Sequence, residues 1–297
     1  MKKVLITGAG GLLGKKTYST LSKKYSVVGA YHSKSKGLDP SVGVLRELDI
    51  TNGLEVETIF EEFKPHFVVH TVAVVDVETC ERDKKLAHSV NVVGTKNVAE
   101  RCKKYGSKLV YISTDYVWGP DGSYTEESEP KPLNYYGETK LKGERVVQRT
   151  LLDYLIIRPT VMYGFNDQFD KETFASECIS KLKNREVVLA DDKRVKYPIL
   201  IDDIADAIEL LLKKGSEGIF NIATQDGLTK YQWAKRIAKR FGFPEGLIKI
   251  RAETGVKKPS NVRLITKKIE KLGCKIHALD EGIDIMKSQM IRRGALK

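Results

Sequence analysis

KVLITGAGGLLG, residues 3–14, decides how the rest of the chain is read. A short apolar run rich in β-branched residues ends in four glycines at positions 8, 10, 11 and 14. Apolar residues at helical spacing then follow in LLGKKTYSTLSKKY. Gly8, Gly11 and Gly14 form a G-x-x-G-x-x-G pattern. The first lets a strand turn sharply into a helix, the second lets backbone approach a pyrophosphate, and the third lets helix and sheet pack closely. The helix N-terminus offers unpaired N–H groups and a favourable dipole to phosphate. A plain glycine-rich turn is the bland alternative, but the position between a first strand and a first helix is the context a dinucleotide cradle requires. Gly8, Gly11, Leu12 and Gly14 are therefore the candidate cradle.

Outward from this loop, apolar runs alternate with amphipathic segments. SVVGAY, GVLRELDI, HFVVHTVA, SKLVYIST and YLIIRPTVM read as strands. LEVETIFEEF, KLAHSVNVVGTKNVAERCKKY and LNYYGETKLKGERVVQRT read as helices. Strand and helix in alternation with short connections predict an α/β fold, a Rossmann-like doubly wound parallel sheet. After Pro159 the alternation loosens into KETFASECISKLKNR, VVLAD, IDDIADAIELLLKK, GIFNIA, KYQWAKRIAKRFGF and LITKKIEKLG. These predict a smaller C-terminal substrate-binding lobe. The expected division is 1–160 for dinucleotide binding and 161–297 for the lobe, with segments near 197–224 returning to the sheet.

Among 297 residues, 41% are hydrophobic and 30% charged, as in soluble globular proteins. No apolar run approaches the ~20 residues of a membrane span, and the first residues read as a strand rather than a secretory signal. A cytoplasmic location and no membrane partner are expected. Cys80, Cys102, Cys178 and Cys274 stand apart, with no CxxC pair or histidine cluster, so neither a disulfide framework nor a metal site is expected. The net charge of +12 suits a polyanionic ligand. Its lysines are spread along the chain and mixed with glutamates, which favours a solvated basic surface over a nucleic-acid-binding one.

The second strand ends in GAYHSKSK. An acidic residue there would hold the adenosine 2′-hydroxyl, and none is present. A hydroxyl and a lysine suit a 2′-phosphate instead, so Ser33 and Lys34 point to NADP(H) over NAD(H), unless they are only solvated loop residues. In NYYGETK, Tyr136 and Lys140 are four apart and share one helix face. A nearby ammonium lowers a tyrosine pKa, so this pair suits proton exchange with a carbonyl or alcohol oxygen. An ordinary amphipathic helix gives the same spacing. Ser113, Thr114 and Asp115 close the preceding strand, where open parallel sheets bind ligands or where a turn is capped.

These three signals, in this order, resemble the extended short-chain dehydrogenase/reductase family, with its TGxxGxxG loop, a Ser/Thr ending strand five, and YxxxK. The resemblance covers essentially the whole chain. It implies that Asp49 and Ile50 of LDIT lie near the adenine, and that Val72 and Ala73 of HTVAVVDVETCE border the nicotinamide. It also implies that Asn91 of VNVVGTKN is the family's helix asparagine, and that Arg158 belongs to a strand-six Arg-Pro segment. STDYVW, AVVDVETCE, YGETKLKGE and KPSNVRLITKKIEKLG resemble the dTDP-4-dehydrorhamnose reductase group within the family. Lys258 stands where that group usually has Arg, Trp118-Gly119-Pro120 departs from its usual sequence, and Glu78 stands where Asp is common.

The resemblance implies NADPH-dependent reduction of the C4 ketone of a nucleotide-linked 4-keto-6-deoxy sugar, as in dTDP-rhamnose biosynthesis. Tyr136 is then the proton donor and Lys140 binds the nicotinamide ribose and depresses the tyrosine pKa. Thr114 bonds the reacting oxygen, with Ser113 as its cofactor-side neighbour and fallback. Asp115, Tyr116, Trp118, Arg158, Tyr163, Lys258 and Asn261 are the candidate sugar-nucleotide contacts. A nucleotide-sugar epimerase and a regulatory β subunit of methionine adenosyltransferase share the pattern and remain open. Helices outside the sheet are candidates to pair two subunits as a homodimer.

Overall fold

The computed structural model describes residues 1–32, 44–165, 173–251 and 255–296. Seven strands form one parallel sheet: β1 (Lys3–Thr7), β2 (Ser26–Tyr31), β3 (Val44–Glu47), β4 (Phe67–His70), β5 (Lys108–Ile112), β6 (Tyr154–Pro159) and β7 (Gly218–Ile222). Their spatial order is β7-β6-β5-β4-β1-β2-β3. All six pairings are parallel. The chain runs outward from β1 to β3, then restarts beside β1 with β4. The crevice above the β1–β4 junction is thus the switch point where such sheets bind ligands.

Alternation of side chains along the strands divides the core into two layers. Val4, Ile6, Val69, Val110 and Ile157 pack on one face. They meet α1 (Leu12–Leu21) and, later in the chain, the helix Ile201–Lys214, which buries Ile204, Ile208 and Leu211. Leu5, Val68, Leu109, Tyr111 and Ile156 pack on the other. They meet α2 (Gly53–Phe63), α3 (Thr95–Tyr105) and α4 (Tyr135–Thr150). Each fully buried aliphatic side chain contributes roughly 1.5–3 kcal/mol. The edge strand β3 carries Arg46 and Glu47 exposed, charges that discourage edge-to-edge pairing.

A third core belongs to the C-terminal lobe. Helices α5 (Phe174–Lys183), α6 (the Ile201–Lys214 helix), α7 (Lys230–Phe241) and α8 (Leu279–Arg292) complete the set of long helices. Ile179, Leu182, Trp233, Ile237, Ile283 and Met286 make the lobe's centre. Thr229 caps α7 reciprocally with Gln232. No helix among the described residues is long and apolar enough to cross a membrane.

Two elements depart from the sequence reading. The expected helix over 85–105 is continuous but not α throughout: Lys84–His88 is α-helical, Ser89–Gly94 is a π turn, and α3 follows directly. Asn91 lies in this turn. Its side-chain oxygen accepts from Val74 N (2.8 Å), and its amide donates to Val74 O (3.1 Å) and Thr139 Oγ1 (3.0 Å). LITKKIEKLG is not one helix either. Val262–Leu264 is a strand pairing with Gly122–Tyr124, and only Lys267–Glu270 is helical.

Candidate functional site

The glycine loop has the geometry its sequence predicts. Gly8 sits at φ +83, in the left-handed region, and a Cβ there would come within 2.5 Å of Thr71 Oγ1. A Cβ on Gly14 would stand 2.0 Å from the Gly8 carbonyl oxygen, so only glycine lets α1 approach the loop this closely. Gly11 is the N-cap of α1 in extended backbone, and no side chain caps the helix. The first-turn N–H groups therefore face the crevice, an anion-binding end of the kind expected.

Three cavities run along the carboxyl ends of the strands. The first, about 330 Å³, lies between β1, β2 and the β3–α2 connection, bordered by Gly8, Tyr31, Asp49, Ile50 and Val72. Burial works against the charged form of Asp49, but Thr51 outweighs it. Its N–H and Oγ1 both donate at 2.8 Å and hold the carboxyl below its usual value. Ser33 and Lys34, on which the NADP reading rests, lie outside the described residues. The second cavity, about 360 Å³, is bordered by Gly11, Leu12, Gly14, Ala73, Tyr136 and Lys140. The third, about 290 Å³, is bordered by Thr114, Asp115, Tyr116, Tyr136 and Lys258, among others. Val75, Ser113, Tyr136 and Met162 border both the second and the third. The Tyr136 ring thus stands at the junction.

Burial is the main force on Tyr136 and holds its phenol well above the usual value. Asp115 adds to this, while a hydrogen bond with the Thr114 side chain works the other way. Lys140 is buried, and burial brings its amine down to about 7, partly opposed by Glu144. Its Nζ lies 4.1 Å from the centre of the Tyr111 ring. This corrects the expected electrostatics. The ammonium rests on Tyr111, and the phenol of Tyr136 is held protonated rather than drawn toward tyrosinate. Beneath them, His70 is stacked on Tyr111 and bonded through its ring nitrogens to Thr7 and Thr95. Burial, then the Lys140 charge, brings its pKa down to about 3.

Thr114 also caps the short 3₁₀ turn Asp115–Val117, accepting from Tyr116 N at 3.2 Å and donating to Asp115 at 3.1 Å. The Ser113 hydroxyl faces inward instead. It donates to Glu144 Oε1 at 2.5 Å, on the side of α4 and β6.

Several expected contacts lie elsewhere. Arg158 is 2% exposed and bidentate to Glu144 (2.9 and 2.6 Å), with its guanidinium 4.7 Å over the Trp118 ring. Trp118 is fully buried and stacked on Tyr124. Tyr163 packs edge-on against Trp233 in the lobe core. Asn261 accepts from the Tyr197 hydroxyl and donates its N–H to Asp121. None of these four lines the third cavity. Asn91 is buried with its carboxamide spent on Val74 and Thr139, so it braces the site from behind rather than bordering a cavity.

Sequence reasoning missed a cluster of cations. Arg194, Lys196 and Lys230 join Lys258 around the third cavity. Burial lowers the Lys196 pKa; Asp115 opposes this, while Arg194, Lys230 and Lys258 reinforce it. Burial, Lys258 and Arg194 likewise lower Lys230. Cations gathered at this cost suit a multiply charged anion. Facing acids include Asp115, Asp191, bonded to Arg194 at 3.3 Å, Glu78, 3.8 Å from Lys258, and Glu177, which acts on Lys230. The available sequence signal was DDKRVKY, which looks like a solvated turn until folding brings it opposite Lys230 and Lys258.

The family described as RmlD substrate binding domain matches residues 1–290, and the chain belongs to it. It is 29% identical over 282 residues to the β subunit of methionine adenosyltransferase 2 of Rattus norvegicus, covering 92% of this chain and 83% of that one. It resembles the dTDP-4-dehydrorhamnose reductase of Bacillus anthracis, solved in complex with NADP. The TM-score is 0.82 at 26% identity, over 97% of this chain and 99% of that one. A hypothetical dTDP-4-dehydrorhamnose reductase from Sulfolobus tokodaii gives a TM-score of 0.82 at 30% identity, over 94% and 98%.

Proposed function

We propose that this chain is a nicotinamide-dependent reductase of the C4 ketone of a nucleotide-linked 4-keto-6-deoxy sugar, with NADPH as the preferred reductant. One observation carries the reading: Tyr136, its phenol held protonated by burial, stands with Thr114 where a cavity walled by the glycine loop meets a cavity ringed by four cations. The glycine cradle fits a dinucleotide, since Gly8 and Gly14 leave no room for a Cβ. Gly8, Gly11, Leu12 and Gly14 would hold the pyrophosphate, Asp49 and Ile50 the adenosine end, and Ala73 and Lys140 the nicotinamide riboside; Val72, expected beside the nicotinamide, borders the first cavity and would join the adenosine end instead. When bound, the nicotinamide supplies a hydride.

The chain's own residues do the rest. Reduction of a ketone leaves an alkoxide that needs a proton, and a phenol held protonated at neutral pH is the acid for that step. The Thr114 hydroxyl orients the same oxygen, and a buried donor is worth more here than in water. Lys140 in its charged form stabilises the phenolate that the transfer leaves behind. Arg194, Lys196, Lys230 and Lys258 would hold the diphosphate of the substrate, with Asp115 and Tyr116 beside the sugar. The test is Tyr136→Phe, which should lower turnover by roughly 10²–10⁴-fold, the range of general acid catalysis, and leave cofactor affinity intact. Full activity in that variant would remove the assigned role.

The likeness to the methionine adenosyltransferase β subunit supports a second reading, a regulatory subunit that keeps the fold and cofactor loop. The same protein would then bind cofactor, turn over no sugar nucleotide, and associate with a methionine adenosyltransferase in a pull-down.

A further inference from the structure

Lys140 is a buried cation whose seat is an aromatic ring. Among the described residues its Nζ has no hydrogen-bond acceptor and no ion-pair partner, and it lies 4.1 Å from the centre of the Tyr111 ring. The Glu144 carboxylate, one turn further along α4, is engaged by Ser113 and Arg158 instead. Tyr111 is fully buried on β5 and is fixed on several sides. Its hydroxyl donates to Lys140 O at 3.4 Å. A Cβ on Gly143 would stand 2.2 Å from that hydroxyl, so the glycine lets α4 close over the phenol. His70 of β4 is stacked on the ring with 5.9 Å between centroids, and is itself held by Thr7 and Thr95.

We propose that Tyr111 is the positioning residue for Lys140: its ring face seats the ammonium at the border of the glycine-loop cavity and leaves the N–H donors for the ribose hydroxyls of a nicotinamide cofactor. A long lysine side chain loses much rotamer freedom when it is fixed, so something has to hold it. A carboxylate would do so by accepting its N–H groups. A π face attracts the charge without a directed hydrogen bond. The ring is a fixed point, because β5 is a central strand between β4 and β6. Lys140 borders the second cavity together with Gly11, Gly14 and Ala73, whereas Tyr111 does not. Tyr111 therefore acts through Lys140 and touches no ligand itself. The role of the ribose rests on the assignment of Lys140 under the proposed function; the contact of ring and ammonium does not.

The test varies the charge on the ring face and keeps the ring's shape. Tyr111→Phe is compared with a trifluorinated phenylalanine at the same position, which has lost the negative face. Both are made with and without Lys140→Met in the whole chain. Measurements are at pH 6, below the value of about 7 at which the amine titrates. Fluorination should lower the folding constant, and the affinity for NADPH and NADH, by roughly 2–30-fold, the span of a cation–π contact. Both losses should vanish beside Lys140→Met. Binding of 2′,5′-ADP and AMP, which lack the nicotinamide ribose, should not change. No effect of fluorine on folding or on cofactor affinity overturns the proposal. So does an equal loss for the adenosine fragments, which marks a general loosening of the fold. A loss of stability that spares cofactor binding also overturns it, if Lys140→Met itself weakens the cofactor. If Lys140→Met leaves cofactor affinity intact while the stability coupling holds, the assignment of Lys140 falls and the ring is supported as the seat of its ammonium. Rings with one or two fluorines, whose effect should be graded, serve if the trifluorinated chain does not fold.

Discussion

Lys140→Met should stabilise the folded protein while destroying the site, by an amount that depends on pH. The buried amine titrates near 7 against an ordinary 10.5, chiefly because of desolvation. At about 1.4 kcal/mol per unit, keeping it charged costs roughly 5 kcal/mol at pH 6. The unfolded chain holds this proton up to about 10.5 and the folded chain releases it near 7. Between those values unfolding takes up a proton, so this residue's contribution to stability rises with pH. Below about 7 both states are protonated and the full cost applies; above about 10.5 neither is, and it disappears. Methionine keeps the length and the apolar stem without the charge, though it forfeits the contact of the ammonium with Tyr111. Denaturant unfolding at pH 6, 7.5 and 9 should therefore show the variant ahead by roughly 3–5 kcal/mol at pH 6, with the margin shrinking toward pH 9. Other titrating groups, Lys196 and Lys230 among them, cancel in the comparison. A variant less stable than wild type at pH 6, or a margin that does not change with pH, would refute the reasoning.

Two further outcomes follow from the geometry. Gly14→Ala puts a methyl group 2.0 Å from the Gly8 carbonyl oxygen, backbone that cannot yield without opening the loop. It should cost roughly 1–3 kcal/mol of stability, the usual range for overpacking, and weaken dinucleotide binding, read by denaturation and fluorescence titration. Lys196→Met removes one cation from the third cavity and leaves the glycine loop untouched. A lost charged hydrogen bond is worth roughly 1.5–3 kcal/mol, so KM for the sugar nucleotide should rise about 10–150-fold while cofactor affinity stays unchanged.

Much of the fold was legible because strands buried on both faces have to be continuously apolar, as FVVH and KLVYI are. The loop was legible because Gly8 and Gly14 have no substitute at a positive φ or a 2.0 Å approach. The π turn at Ser89–Gly94 was not, because no local propensity reports that Asn91 within it will bond to Val74, seventeen residues away. Arg158 and Trp118 were read as pocket residues on the strength of resemblance, yet the buried Glu144 draws the guanidinium inward and the indole lies beneath it. Lys196 escaped notice for the reverse reason. One lysine in a basic chain carries no signal until Asp115 and Lys258 are brought to it from about 60–80 residues away in sequence. Spacing on one helix is visible in a sequence, as for Tyr136 and Lys140, whereas convergence of separate elements is a tertiary property.

The most direct test of the central claim follows absorbance of NADPH, and separately of NADH, when purified protein meets a dTDP-4-keto-6-deoxy sugar. The account predicts substrate-dependent loss of NADPH, faster than that of NADH and absent in Tyr136→Phe. Tight cofactor binding with no loss of either, across dTDP-, UDP- and GDP-linked 4-keto sugars, would contradict it.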